Sequence, residues 1–209
     1  GADITFTDVP VNAWYYNDVK RSVELNLVNG IGNNKFDPTG KLTYGAAVKL
    51  AACIHQQKTQ GSVTLKNGSP WYQSYVDYCK SKGIITKDYN WNANATRAGY
   101  MEIFESVLPA SPNDEINYVP YDSIPDVPAD HPQRYSIYRL YRLGVVQGGD
   151  AQFNCSPNSD ISRSEVATIL VRMMDPTARK RFNTRTPLNI AKDIPTSVTV
   201  TRGQPVTLT

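Results

Sequence analysis

"FTDVPVNAWYY", residues 6–16, is answered 118 residues later by "IPDVP", residues 124–128, once Asp8 is laid over Asp126. The next landmarks fall in step. "LVNGIGNNKFDP" (27–38) puts Val28 and Gly30 at the same distances from Asp8 that "VVQGGDAQFNCSP" (145–157) puts Val146 and Gly148 from Asp126. An aromatic follows in each, Phe36 or Phe153, then a proline, Pro38 or Pro157, then "LTYGAAVKL" or "ISRSEVATIL". The middle of the chain, "SPWYQSYVDYCKSKGIITKDYNWNANATRAGYMEIF" (69–104), reads as a third copy that has lost its opening, with Trp71 preceding Ile85 by the interval that separates Trp14 from Val28. Order and spacing kept through several landmarks mark an internal repeat, and a repeat decides the fold before any local element does.

Each copy reads as helix, loop, helix. Val19, Val23 and Leu27 recur at four-residue spacing in the first, and Ile137, Leu140, Tyr141 and Gly144 share a face in the third. The opening helix should end near "VNG" or "LGV", where glycine suits a left-handed cap. A short extended piece is expected around Phe36 and Phe153, because the Asn, Gly and Pro content there disfavours helix. Thr43, Thr96 and Ser162 each precede an apolar, helix-compatible run and are natural N-caps, but only Ser162 with Glu165 completes a capping box. A two-helix unit of this length cannot cover its own apolar faces, so three copies should pack together, most simply about a pseudo-threefold axis with grooves between neighbours. The division expected is 4–58, 62–110 and 120–182, followed by 183–209 as a linker or the start of a β-rich segment, since "SVTVT" and "PVTLT" alternate as short strands do.

Composition narrows the function classes. The 209 residues carry 22 Lys and Arg against 19 Asp and Glu, and the basic residues are scattered, which does not point to nucleic acid but tolerates an acidic polymer. No apolar run of about 18 residues is present to span a membrane. The first residues lack the features of a secretory signal, so "ADITF" is expected to follow a cleavage site, with Gly1 a cloning remnant. Cys53, Cys79 and Cys155 allow at most one disulfide, stand in no metal-ligand spacing, and read as small buried hydrophobes. His55 and His131 are the only histidines, no nucleophile motif is present, and no pair of carboxylates is spaced for glycoside hydrolysis, so neither a cofactor nor an enzyme is expected.

The opening F-x-D-V, the Trp-Tyr pair, the glycine-rich turn, F-x-P and the closing Thr-Arg-Ala element together resemble the S-layer homology repeat. The resemblance covers about residues 4–182 and implies a mainly α fold: a three-pronged spindle around a central three-helix bundle. It further implies a noncatalytic, extracellular module that anchors bacterial surface proteins by binding secondary cell-wall polysaccharide, often with a pyruvylated terminal sugar. The alternative is an assembly module with decayed grooves that self-associates through a larger parent protein. The closing motif falls on Thr43-Tyr44-Gly45-Ala46, Thr96-Arg97-Ala98-Gly99 and Ser162-Arg163-Ser164-Glu165.

A pyruvyl ketal carries a carboxylate, and a helix N-terminus with free N–H groups attracts such an anion, more so beside a guanidinium fork. Arg97 and Arg163, behind the caps Thr96 and Ser162, are therefore the leading candidates, the competing role being an ion pair with a neighbouring copy. Tyr44 replaces the arginine in the first copy, so its groove should bind weakly or read something else. Trp14 and Trp71 offer flat faces to a sugar, although Tyr15 and Tyr16 beside Trp14 favour core packing there, while Trp71 leans toward the groove. Pro132, with Tyr135 nearby, stands at the aligned position of the third copy. Asp8 and Asp126 before Val-Pro mainly fix turns, and Gly30 and Gly148 are conformational or allow a ligand near the backbone.

Overall fold

A computed structural model describes residues 5–187. Six α-helices form in chain order: α1 Tyr16–Glu24, α2 Tyr44–Gln60, α3 Gln73–Ser81, α4 Arg97–Glu105, α5 Arg134–Arg142 and α6 Arg163–Met174, with 3-10 turns at Pro112–Asp114 and Pro176–Ala178. The fold is mainly α, as expected; among the described residues β pairing is limited to isolated bridges. The strands expected at "SVTVT" and "PVTLT", and the expected start at "ADITF", fall wholly or largely outside the described residues.

The helix periods work as the sequence spacing requires. Val19 and Val23 are buried on α1, and Ile137, Leu140 and Tyr141 on α5. Gly83 and Gly144 take the left-handed conformation just past α3 and α5, but after α1 that place is held by Asn26 at φ 58°, not by the glycine of "VNG". Asn is the side chain that best tolerates this region, so the cap survives without glycine.

The helices do not pack within their own sequence pair. α1 lies against α6, α3 against α2, and α5 against α4, so each opening helix covers the closing helix of the preceding copy, cyclically. α2 and α4 also touch, and α6 adds Val166, Ile169, Leu170 and Met173 to the core that holds Ala47, Ala51, Tyr100 and Phe104. The small residues of α2 let α4 approach closely, while Tyr100 and Phe104 stack at 4.0 Å and fill the centre.

Above this core the starts of α2, α4 and α6 form a closed ring. Thr43 bridges Asn94, Thr96 bridges Asp160, and Ser162 bridges Lys41: each N-cap pairs with the residue two before the next N-cap. The pseudo-threefold relation is thus written in backbone hydrogen bonds.

Candidate functional site

The ring decides what the helix starts can do. In each closing helix the cap side chain accepts from the third residue's N–H: Thr43 from Ala46 at 3.1 Å, Thr96 from Gly99 at 3.0 Å, Ser162 from Glu165 at 3.3 Å. The first N–H groups, of Tyr44, Arg97 and Arg163, donate to the carbonyls of Ala93, Ser159 and Gly40 at 2.8–3.0 Å. The second, of Gly45, Ala98 and Ser164, donate to Trp91, Pro157 and Pro38 at 2.9–3.0 Å. All nine amides are therefore engaged by protein. The expectation of free N–H groups awaiting an anion does not hold here, because each loop of the ring supplies two carbonyls to its neighbour's helix.

The side chains at the first helical position cross into the next copy. Arg97 is buried; its Nε donates to the Cys155 carbonyl at 2.6 Å, and its Nη1 forms an ion pair with Glu165. Glu165 also completes the capping box with Ser162, so it both caps and pairs. Arg163 donates through Nε to Phe36 O at 2.9 Å and through Nη2 to Asn29 O at 2.7 Å, and lies 4.9 Å from the centre of the Phe36 ring. Burial pushes the Arg163 pKa down, and Asp37 and Asp8 act against that shift. Tyr44 takes the third equivalent place and stacks on Tyr89 at 4.8 Å.

Asp8 and Asp126 do the same job in the first and third copies. Asp8 accepts the N–H groups of Phe36 and Asp37 at 2.9 and 2.8 Å; Asp126 accepts those of Cys155 and Ser156 at 2.8 and 2.7 Å. The structural partner of Phe36 is thus Cys155, not Phe153. One extra residue in the third loop shifts the register, and Phe153, at φ 67°, stacks on Phe182 instead. Gly30 sits where a Cβ would lie 2.6 Å from the Phe6 ring, so its lack of a side chain serves internal packing. Gly148 is left-handed at φ 84° and lines an open groove.

That groove has a volume of about 730 Å³ and runs between the third copy and the first. One bank is the Val145–Gly149 loop and α6; the other carries Trp14, Pro38 and Lys41, and Arg97 comes from the second copy. Trp14 is 65% exposed, edge-on to Tyr15 at 5.2 Å, so the aromatic cluster does not bury it. Arg172, also in the lining, is buried on α6 with its Nη1 3.3 Å from the Val145 carbonyl. Lys41, Arg97 and Arg172 face two acids, Asp160 and Glu165.

The seam between the first and second copies is built differently. Trp71, 39% exposed, is set so close over Gly45 that a Cβ there would meet its ring at 3.1 Å. From it an aromatic row runs through Tyr72, Trp91 and Tyr89 to Tyr44. Trp14 borders the open groove, while Trp71, though partly exposed, packs over Gly45 at the other seam. Lys41 and Arg172 went unremarked in the sequence; a lone arginine in the apolar run "ATILVRMM" was the available signal.

With this geometry in hand, the family model described as S-layer homology domain matches residues 5–48 and 123–167. Two segments of the chain, one in the first copy and one in the third, thus match the S-layer homology domain. Two relatives agree: a surface-layer 125 kDa protein of Lysinibacillus sphaericus is 26% identical over 117 residues, 51% of this chain and 10% of that protein. A cell surface protein of Thermoanaerobacter kivui is 42% identical over 43 residues, 21% of this chain and 6% of that protein. The chain spans a tenth or less of either relative's length. S-layer homology domains are noncatalytic anchoring modules that bind cell-wall polymers, and the location they indicate is the extracellular cell surface. The α3–α4 pair lies outside the matched segments. Among the described residues no helix is long and apolar enough to cross a membrane, and no three His, Cys, Asp or Glu side chains cluster as metal ligands.

Proposed function

We propose that this chain is a noncatalytic wall-anchoring module whose groove between the third and first repeats binds an acid-bearing saccharide of a secondary cell-wall polysaccharide. The observation that carries the reading is the union, in one open groove, of an exposed indole and three cations. Trp14 offers an apolar face to a sugar ring, and its N–H a hydrogen bond. Lys41, Arg172 and the remaining guanidinium donors of Arg97 meet the carboxylate that a pyruvyl ketal would carry. Ser162 and Gly148 border the same space, the first for hydroxyl contacts and the second for approach to backbone.

Anion recognition therefore rests on side chains, since the helix-start amides are occupied. Arg97 serves as both the strut of the ring and the floor of the groove. Arg163, Thr96, Asp8, Asp126 and Gly30 support the binding surface through the ring and its loops. Residues 62–110 act as the second, degenerate repeat, and at its seam with the first, where Tyr44 stands in place of an arginine, an aromatic row replaces the cationic groove.

Titration of the intact chain with purified wall polysaccharide, before and after mild acid removal of its ketals, tests the reading. The native polymer should bind, and the deketalised polymer and the Lys41→Ala variant should each bind several-fold more weakly. Self-association with no affinity for either polymer would instead favour the assembly module.

A further inference from the structure

A second cavity, of about 570 Å³, opens at the pole opposite the ring, where α2 and α6 end. Its lining brings together cations from separate segments: Lys58 from the last turn of α2, Arg139 from α5, and Arg179 and Arg181 from the stretch after α6. Asp114 is the acid among the lining residues.

Two of these cations already have work. Arg139 pairs with Glu105 at 2.6 Å and reaches the Pro109 carbonyl; Arg179 caps α6 by donating to the carbonyls of Arg172 and Met173. Neutralising the negative end of α6 thus needs Arg179 alone. Lys58 and Arg181 are exposed, and among the described residues no carboxylate comes within 4.0 Å of either. Partial desolvation, with Arg179 nearby, pushes the Lys58 pKa down although the residue is exposed. Held like charges of this kind destabilise the fold and are relieved by a bound anion.

We infer that this polar cavity is a second anion site, distinct from the saccharide groove, and that it takes phosphate groups of a polyanionic cell-surface polymer. A carboxylate is satisfied by one guanidinium fork, whereas Lys58 and Arg181, converging from separate segments beside the committed Arg139 and Arg179, suit the oxygens of a tetrahedral phosphate. The location at the cell surface supplies the class of partner: a chain of phosphodiesters, whether linked to the wall or to a lipid.

The test uses the intact protein and a synthetic oligo(glycerol phosphate), followed by calorimetry and amide chemical shifts, with Lys58→Glu/Arg181→Glu and the milder Lys58→Gln/Arg181→Gln beside it. Both residues are exposed, and an unchanged thermal midpoint for the glutamine pair establishes that the fold is kept. The inference expects shifts at Lys58, Asp114 and Arg179–Arg181, affinity that falls with salt, and at least about tenfold weaker binding for the glutamate pair. Lys41→Ala should leave this binding unchanged. Equal affinity in wild type and both double variants overturns the site, as does loss of the signal in Lys41→Ala. Vesicles bearing the lipid-linked polymer, set against the free wall polymer, tell the two sources apart.

Discussion

The hydroxyl of Tyr44 occupies the space that a side chain at residue 99 would need: a Cβ built on Gly99 lies 2.2 Å from that oxygen and 2.8 Å from the ring carbon Cε1. Tyr44, where the other copies have Arg97 and Arg163, and Gly99, where the third copy has Glu165, are therefore linked differences. Where Arg97 reaches the next copy's helix start it meets Glu165; where Tyr44 reaches the start of α4 in the next copy, it meets Gly99, which has no side chain. Because Tyr44 is stacked on Tyr89 it cannot swing aside cheaply. Gly99→Ala should lower stability by about 1–3 kcal/mol, the cost of overpacking a fitted site. Tyr44→Ala made in the same chain should recover part of it. Urea midpoints of the two singles and the double check this coupling, and additive losses would show that the residues do not compete for space.

Trp14 and Trp71 should answer truncation in opposite ways. Trp14→Ala removes an exposed ring from the groove and should leave the thermal midpoint nearly unchanged while weakening wall-polysaccharide binding by about 2–10-fold, the scale of one aromatic platform. Trp71→Ala removes a ring packed on Gly45 and should lower the midpoint by several degrees, as expected for a loss of about 1–3 kcal/mol. Melting curves and one binding isotherm for each variant decide it.

How much of this could be read in advance varies with the kind of signal. The helix pairs, the caps Thr43, Thr96 and Ser162 and the lone capping box at Ser162–Glu165 were legible, because each depends on residues a few positions apart. The partner of Phe36 was not. Matching aromatic to aromatic placed it at Phe153, while the carboxylate of Asp126 selects Cys155 by the backbone N–H groups it accepts. A one-residue insertion moves side chains without moving the turn, and only hydrogen bonds reveal it. The occupied helix starts were hidden for a similar reason: the carbonyls that fill them come from a different copy, at separations no local pattern encodes. The exposure of Trp14 was likewise set by which neighbour covers α1, and that neighbour is α6.

Asp8 gives the clearest acid dependence. Burial acts to raise its pKa, but the N–H groups of Phe36 and Asp37, with Lys35 nearby, outweigh it and hold the carboxyl below its ordinary value. A depressed folded-state pKa contributes stability that is full above the unfolded value of about 4 and is lost as pH falls through the folded value. Asp8→Asn should therefore destabilise the protein at pH 7, since the amide can accept at one oxygen only. The gap between variant and wild type should narrow as pH drops below about 4. A gap that stays constant to the acid limit would mean that charge at Asp8 is immaterial.

Tyr100 is fully buried, and among the described residues its hydroxyl has no hydrogen-bond partner. Burying an unsatisfied hydroxyl costs about 1–3 kcal/mol, so Tyr100→Phe, which keeps the stack on Phe104, should be neutral or stabilising. A measurable loss of stability in denaturant titration would place a partner at that oxygen.

Asn117 ties the segment leaving α6 to the body of the third copy. Its Nδ2 donates to the carbonyls of Tyr141 and Lys180, both at 2.9 Å, and its Oδ1 accepts the Phe182 N–H at 2.8 Å. Asn117 is only 8% exposed, so water cannot replace these partners cheaply. Next to it Lys180 N donates to Gly144 O at 2.9 Å, and Tyr118 N to the Asn183 side chain at 3.0 Å, which completes a strap from residue 180 to 184. Asn117→Ala should cost about 2–4 kcal/mol, three hydrogen bonds at roughly 1 kcal/mol each with a further penalty for groups left unpaired. It should also free Lys180, Arg181 and Arg185 for cleavage. Asn117→Asp keeps the acceptor for Phe182 but puts oxygen opposite two carbonyls, so it should be no better than alanine. Trypsin digestion at native conditions, read by mass spectrometry, separates the alternatives: early cuts after 181 and 185 in the variants with an intact core show a strap released, whereas simultaneous cutting throughout the chain shows that Asn117 holds the whole fold.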